Sequence, residues 1–246
     1  MRPAMIRELQ VHSLVRRGVS IVGIATALVV VAAPTPAAVP PLPPSYPAAG
    51  QLVWSFATAR TQPDPHGAAV KVLRQFRPDF RRQIVFALGE ATGADGRPWF
   101  HVSLAMRPNG TTGWIPAASA ALSPVLNRVV VHRAARRIEV WRGNRLLLRA
   151  LAAVGRPGME TPLGNFYVTA RFVPDDPFLG VFAVETSAYS RLTEWPGGGK
   201  VGIHGTSEPQ LLGQAVSHGC VRVSNATARA LKRLAPLGTP IEVADD

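Results

Sequence analysis

From Gly50 onward the apolar residues of this chain come in short runs that Gly, Pro and Asp keep interrupting, a pattern of short strands and turns. In a first region, from about Gly50 to Leu122, the runs are Leu52-Val-Trp-Ser-Phe-Ala, Ile84-Val-Phe-Ala-Leu and Trp99-Phe-His-Val-Ser-Leu, with Ala94-Asp-Gly-Arg as a hairpin turn signal. A second region, 125–246, opens with Arg128-Val-Val-Val-His and Arg137-Ile-Glu-Val-Trp. Arg142-Gly-Asn-Arg then turns the chain, and Leu146 to Leu151 pairs back. Residues Gly155 to Gly164 read as a loop before a strand at Phe166, and Arg171 to Lys200 as an irregular lid in which Tyr189 and Trp195 are candidate substrate contacts. Ser224 or Asn225 is placed to cap a short helix through Leu234, with Ala230, Leu231 and Leu234 on one face, and Ile241-Glu-Val closes the fold as a strand. The expected class is mainly β. A chain of 246 residues has room for one or two domains with real cores.

What precedes those regions is different in kind. Residues 1 to about 33 carry Arg2, Arg7, Arg16 and Arg17, then an uncharged Val, Ile and Ala run, then small residues around Ala32, Ala33 and Ala37. That is the layout of an export segment, and its uncharged stretch falls short of the ~20 residues of a membrane span, which favours a cleaved signal over a retained anchor. Residues 34–49 are proline-rich and expected to be an extended linker. The protein is therefore expected outside the membrane, in the cell wall or periplasmic space, secreted or anchored at its N-terminus. Membrane contact would run only through that segment, and a monomer is expected.

The formal charge is +12, almost all of it arginine, since the only lysines are Lys71, Lys200 and Lys232. No helix-turn-helix, RNA-recognition or zinc-finger pattern accompanies the charge, so nucleic acid is not expected as a partner. Acidic polymers and membrane headgroups are equally natural partners for it. Cys220 is the one cysteine, so no intramolecular disulfide can form, and an unpaired thiol in an exported protein argues for use.

The chemistry concentrates between Ile203 and Asn225, IHGTSEPQLLGQAVSHGCVRVSN. A thiol attacks carbonyls as thiolate and needs a base or cation beside it; His204 and His218 are the candidates. Gly219 lets the chain turn tightly and aim main-chain N–H groups of His218, Gly219 and Cys220 at one point, as an oxyanion hole requires. Arg222 has the planar fork that fixes a substrate carboxylate. Ser217 and Thr206, beside these groups, count as further candidate substrate contacts.

Ser217-His-Gly-Cys-Val-Arg222 preceded by His204-Gly-Thr206, with Gly213 and Asn225 in register, resembles the signature of the L,D-transpeptidase (YkuD-type) catalytic domain. Thr161-Pro-Leu-Gly-Asn-Phe166 and Gly238-Thr-Pro240 fit the same family, so the resemblance spans Val125 to Val243. It implies a β-sandwich-like catalytic domain with a short helix. It also implies two-step acyl transfer on peptidoglycan stem peptides, donor and acceptor, ending in a 3→3 crosslink. Water in place of the acceptor amine would make an L,D-carboxypeptidase. Cys220 would be the nucleophile and His204 the proton donor and acceptor, oriented by the backbone carbonyl of Gly205, with no metal or organic cofactor. Residues 50–122 more faintly resemble a bacterial SH3-like barrel, through Trp99 to Leu104, Arg107-Pro-Asn-Gly and Gly113-Trp-Ile-Pro. Trp99 and Trp114 would then belong to its core or line a peptide groove.

Two other classes stand beside this one. His204, His218 and Cys220 could be zinc ligands of a metallopeptidase, although no carboxylate accompanies them and two of the three lie only two positions apart. A non-catalytic wall-binding protein is the other, against which the complete His, Cys and Arg set argues.

Overall fold

The computed structural model describes residues 47–194 and 197–246. The export segment, nearly all of the linker and Trp195 lie outside the described residues. Seven strands form the first sheet: β1 (Ala48–Leu52), β2 (Phe56–Arg60), β3 (Ala69–Arg74), β4 (Ile84–Thr92), β5 (Pro98–Ser103), β6 (Thr112–Pro116) and β7 (Ala120–Pro124). Every pairing in it is antiparallel, in the order β3-β2-β6-β5-β4-β1-β7. Its inner face buries Leu52, Leu73, Val85, Phe100, Val102 and Ile115.

Two features depart from the sequence reading. Ala48 and Ala49, expected in the linker, are buried in β1. The run Leu52 to Ala57 is not one strand: β1 ends at Leu52, and Val53 and Trp54 turn outward, 44% and 45% exposed, before β2. The reason is topological, because β1 pairs with β4 and β7 while β2 pairs with β3 and β6, so the chain must cross the sheet there. Trp99 is core, one of the two places expected for it, with its Nε1–H donated to Asp95, and Trp114 stacks on His101 with centroids 4.8 Å apart.

The second part contains β8 (Asn127–His132), β9 (Arg137–Arg142), β10 (Arg145–Gly155), β11 (Gly164–Phe172), β12 (Ala183–Tyr189), β13 (Lys200–His204), β14 (Ala215–Ser217), β15 (Val221–Val223), α1 (Asn225–Leu234) and β16 (Pro240–Ala244). Its order is β14-β10-β15-β13-β12-β11-β16-β8-β9, and β9 pairs back onto β10. Two strands make this a sandwich. β10 pairs with β9 through Leu151 and then with β15 at Ala152 and Ala153, while β11 joins β16 on one side and β12 on the other. Val129, Ile138, Val168, Val184, Ile203 and Ile241 fill the space between, each contributing about 1.5–3 kcal/mol by leaving water.

The irregular lid expected over Arg171 to Lys200 is corrected by β12, which lies mid-sheet between β11 and β13. Its buried positions include Thr186 and Ser187, so no hydrophobic alternation marks it in the sequence. Their hydroxyls are satisfied locally: Thr186 donates to Val201 O at 2.8 Å, and Ser187 accepts from the Tyr167 N–H at 3.1 Å. In α1, Ser224 caps the Thr227 N–H at 3.1 Å, and Lys232 and Arg233 in the last turn suit the helix dipole. The buried face is Thr227, Ala228 and Leu231 rather than one containing Ala230, because the helix leans on the core at Ala228.

The two sheets pack against each other. Phe86 and Tyr167 stack at 5.0 Å, and Asn109 brackets the Tyr189 backbone, donating to its carbonyl at 2.8 Å and accepting its N–H at 2.9 Å. Arg107 donates to Ser190 O at 2.9 Å and Gly198 O at 3.0 Å, which ties both residues to the β5–β6 connection of the first sheet.

Candidate active site

The site grows out of one parallel pair. β13 and β15 run side by side with Ile203 opposite Val221 and His204 opposite Arg222. Alternation sends Ile203 and Val221 into the core and leaves Gly202, His204, Cys220 and Arg222 on the other face. The Gly202 N–H donates to Cys220 Sγ at 3.4 Å. His204, only 4% exposed, places Nδ1 2.6 Å from Gly205 O. A carbonyl oxygen only accepts, so Nδ1 carries the hydrogen and Nε2 keeps its lone pair as the basic nitrogen. Main-chain geometry thus orients the ring, as a carboxylate does in a Ser-His-Asp triad.

Gly205 can sit there because it has no Cβ; one would collide with Asn225 Oδ1. Asn225 braces both loops at this point, accepting the Val181 N–H at 3.2 Å and donating to Thr206 O at 3.2 Å. Gly219 takes φ +115°, a region that disfavours any side chain, and this bends the chain between β14 and β15.

Burial sets the charge states. It pushes the Cys220 thiol above its ordinary range, against the Gly202 N–H and the nearby Arg222 cation. It pushes His204 below its ordinary range, with the Gly205 hydrogen bond opposing and Arg222 adding to the effect. Burial, then Arg156 and Arg222, also lower His218. The resting pair is therefore a neutral thiol and a neutral imidazole.

These groups open into a cleft of about 1020 Å³ between the two sheets, lined by His204, His218, Cys220 and Arg222 on one side and by Lys71, Arg74 and Arg77 on the other. Ser217 reaches its edge. Among the described residues no three His, Cys, Asp or Glu side chains gather as a metal-ligand set.

The stretch that builds this face, residues 126–243, matches the model of the YkuD family, the L,D-transpeptidase catalytic domain. Residues 126–243 belong to the YkuD family. A protein of Bacillus licheniformis named for the family is 28% identical over 162 residues, which cover 63% of this chain and 92% of that protein. The Bacillus subtilis protein of the same name is 31% identical over 116 residues, 47% of this chain and 64% of its own length. Among solved structures, an L,D-transpeptidase from Mycobacterium smegmatis superposes with a TM-score of 0.43 at 16% identity, covering 66% of this chain and 91% of that one.

Within the YkuD domain several side chains do other work than the sequence suggested. Ser217, a candidate substrate contact, is 1% exposed; its hydroxyl donates to Cys220 O at 2.5 Å and accepts the Gly219 N–H at 3.1 Å, closing the turn that carries the sulfur. The Gly219 N–H is consequently committed and does not point at an oxyanion. Thr206 lies outside the cleft lining, 2% exposed, with Oγ1 accepting the Glu208 N–H at 3.0 Å. Arg222 is not a free fork: Nη1 pairs with Glu208 Oε2 at 3.0 Å and its guanidinium lies 4.4 Å from the Phe178 ring centroid. Tyr189 does line the cleft, with Arg107 4.6 Å from its ring centroid. The bracing by Asn225, the Glu208 partner and the whole Lys71 to Arg77 wall were missed. Asn225 stood in the motif without a role, and nothing in local spacing points to the others.

Proposed function

We propose that this chain is an L,D-transpeptidase that joins peptidoglycan stem peptides in 3→3 linkage through a thioester on Cys220. The observation that carries the reading is the shared cleft face of β13 and β15: it holds a sulfur at the Gly202 N–H and, diagonally across the parallel pair, a histidine whose Nδ1 is occupied by Gly205 O. As Sγ attacks the carbonyl of the L-centre of diaminopimelate, His204 Nε2 takes the thiol proton, so no free thiolate is needed beforehand. The tetrahedral oxyanion is given to the main-chain N–H of Cys220. Collapse expels D-alanine, whose amine takes the proton from His204. A second stem's side-chain amine then surrenders a proton to His204, attacks the thioester and restores the thiol.

The volume of the cleft supports an amine acceptor over water. About 1020 Å³ is at the top of the range for single small-molecule sites and admits two peptide ends at once. Export to the cell wall is part of the same proposal, on the Arg-led apolar segment at the N-terminus.

The deciding experiment is intact mass after incubation with a carbapenem or a tetrapeptide stem, wild type against Cys220→Ala. An adduct on wild type alone supports the reading. An adduct on both proteins, or on neither, removes it.

A further inference from the structure

The first sheet and the segment after its β3 add Lys71 and Arg77 to the cleft, where Lys200 of the YkuD domain already lies. Lys71, on β3, is half-buried; its ammonium donates to Ala105 O at 2.6 Å and, among the described residues, has no carboxylate within ion-pair distance. Its electrostatic neighbours are two further cations, Arg77 and Lys200. Those two share one carboxylate: Arg77 Nη1 lies 2.8 Å and Lys200 Nζ 2.6 Å from Glu185 Oε1, which also accepts from Thr169 at 2.8 Å. Asp79 adds little, since it is divided between Arg77 at 2.9 Å and Arg81 at 3.3 Å. Three cations around a fully used glutamate leave this wall positive, and burial and then the two neighbours push Lys71 below its ordinary range. Lys71 lines the cleft and is only half withdrawn from it, so an incoming carboxylate meets its ammonium there.

The wall stands in line with the sulfur. Glu185 is the register partner of Gly202, whose N–H meets Cys220 Sγ. One strand spacing separates β15 from β13 and another separates β13 from β12. The cluster therefore begins about 10 Å from the nucleophile, the span of roughly three extended residues. Peptide attached at Cys220 and lying along the cleft brings its acidic groups to this place.

We propose that Lys71, backed by Arg77 and Lys200, is a carboxylate subsite contributed by the first sheet to the stem peptide bound at Cys220. The inference rests on the acyl-transfer reading for the identity of its ligand, and its test is separable from that reading. Equilibrium binding is measured on the full chain carrying Cys220→Ala, with a tetrapeptide stem bearing free carboxylates and with the same peptide amidated throughout. The acid form is expected to bind about ten-fold more tightly. Adding Lys71→Met removes that preference and leaves the amidated peptide unaffected; Lys71→Arg restores most of it. Lys71→Gln repeats the comparison should the methionine variant melt early. Equal weakening of both peptides, or no change in either, overturns the subsite. Thioester mass on the Cys220-containing chain reads the other question. Acylation indifferent to Lys71 keeps acyl transfer and refutes the subsite, whereas Lys71-dependent binding without any acylation refutes acyl transfer and keeps the subsite.

Discussion

Glu208 holds the buried guanidinium of Arg222 at 3.0 Å, and so decides what this arginine is free to do. The arginine side chain is 8% exposed and the glutamate 39%, so solvent reaches one end of the pair only. Removing the glutamate leaves a charge without its partner in the wall of the cleft. With one end hydrated the cost is about 1–2 kcal/mol rather than the larger figure for a fully buried pair. Glu208→Gln is expected to lower Tm by about 2–8 °C in a thermal melt. An unchanged Tm would show the pair to be dispensable.

The neutral pair at the centre has a pH signature. His204, held below its ordinary 6.5, remains a base into mildly acid solution, so the acid limb of kcat/KM is expected below that value. Cys220, held above its ordinary 9.0, is expected to react with iodoacetamide at a rate that climbs only beyond that pH. Folding follows the same signs. The unfolded chain protonates His204 more readily, so that contribution is complete above 6.5 and fades as pH falls. It also ionises Cys220 more readily, so that contribution is complete below 9.0 and fades as pH rises. Cys220→Ala should flatten the alkaline limb of Tm against pH and leave the acid limb alone. Full-rate alkylation of the wild-type thiol at neutral pH would contradict the burial account.

Ser217 supports the sulfur through two hydrogen bonds, to Cys220 O at 2.5 Å and from the Gly219 N–H at 3.1 Å. Ser217→Ala strands a buried amide and loosens the turn. It is expected to cost about 2 kcal/mol of stability and at least about ten-fold in the rate of thioester formation. A variant that melts early yet acylates at the wild-type rate would separate the turn from the chemistry.

Asn225 acts at one remove, by bracing the backbone on both sides of Gly205. Asn225→Ala loses the acceptor for Val181 and the donor to Thr206, and Asn225→Asp loses only the donor. Acylation rates are expected to fall in that order, by about ten-fold for alanine and less for aspartate. Equal rates in all three proteins would mean that His204 holds its orientation without this brace.

The helix was legible in the sequence because its determinants are local. Ser224 and the apolar spacing after it specify α1, and Gly219 with its neighbours marks the turn before β15. β12 was not legible. Its buried threonine and serine are paid for by partners on β11 and β13 that no window of sequence contains. The same distinction runs through the site.

That the sulfur is Cys220 and that the chain can bend at Gly219 follow from residue types within 204–225, whereas the basic ring nitrogen of His204 is fixed by the contact its Nδ1 makes with Gly205 O in the fold. What Arg222 is paired with, what the Gly219 N–H is committed to and what charge faces Cys220 were decided only when the chain folded. Glu208 lies fourteen positions from Arg222, and Lys71 comes from a different sheet altogether. Charges find partners by distance through space, and that distance is a property of the packed sheets.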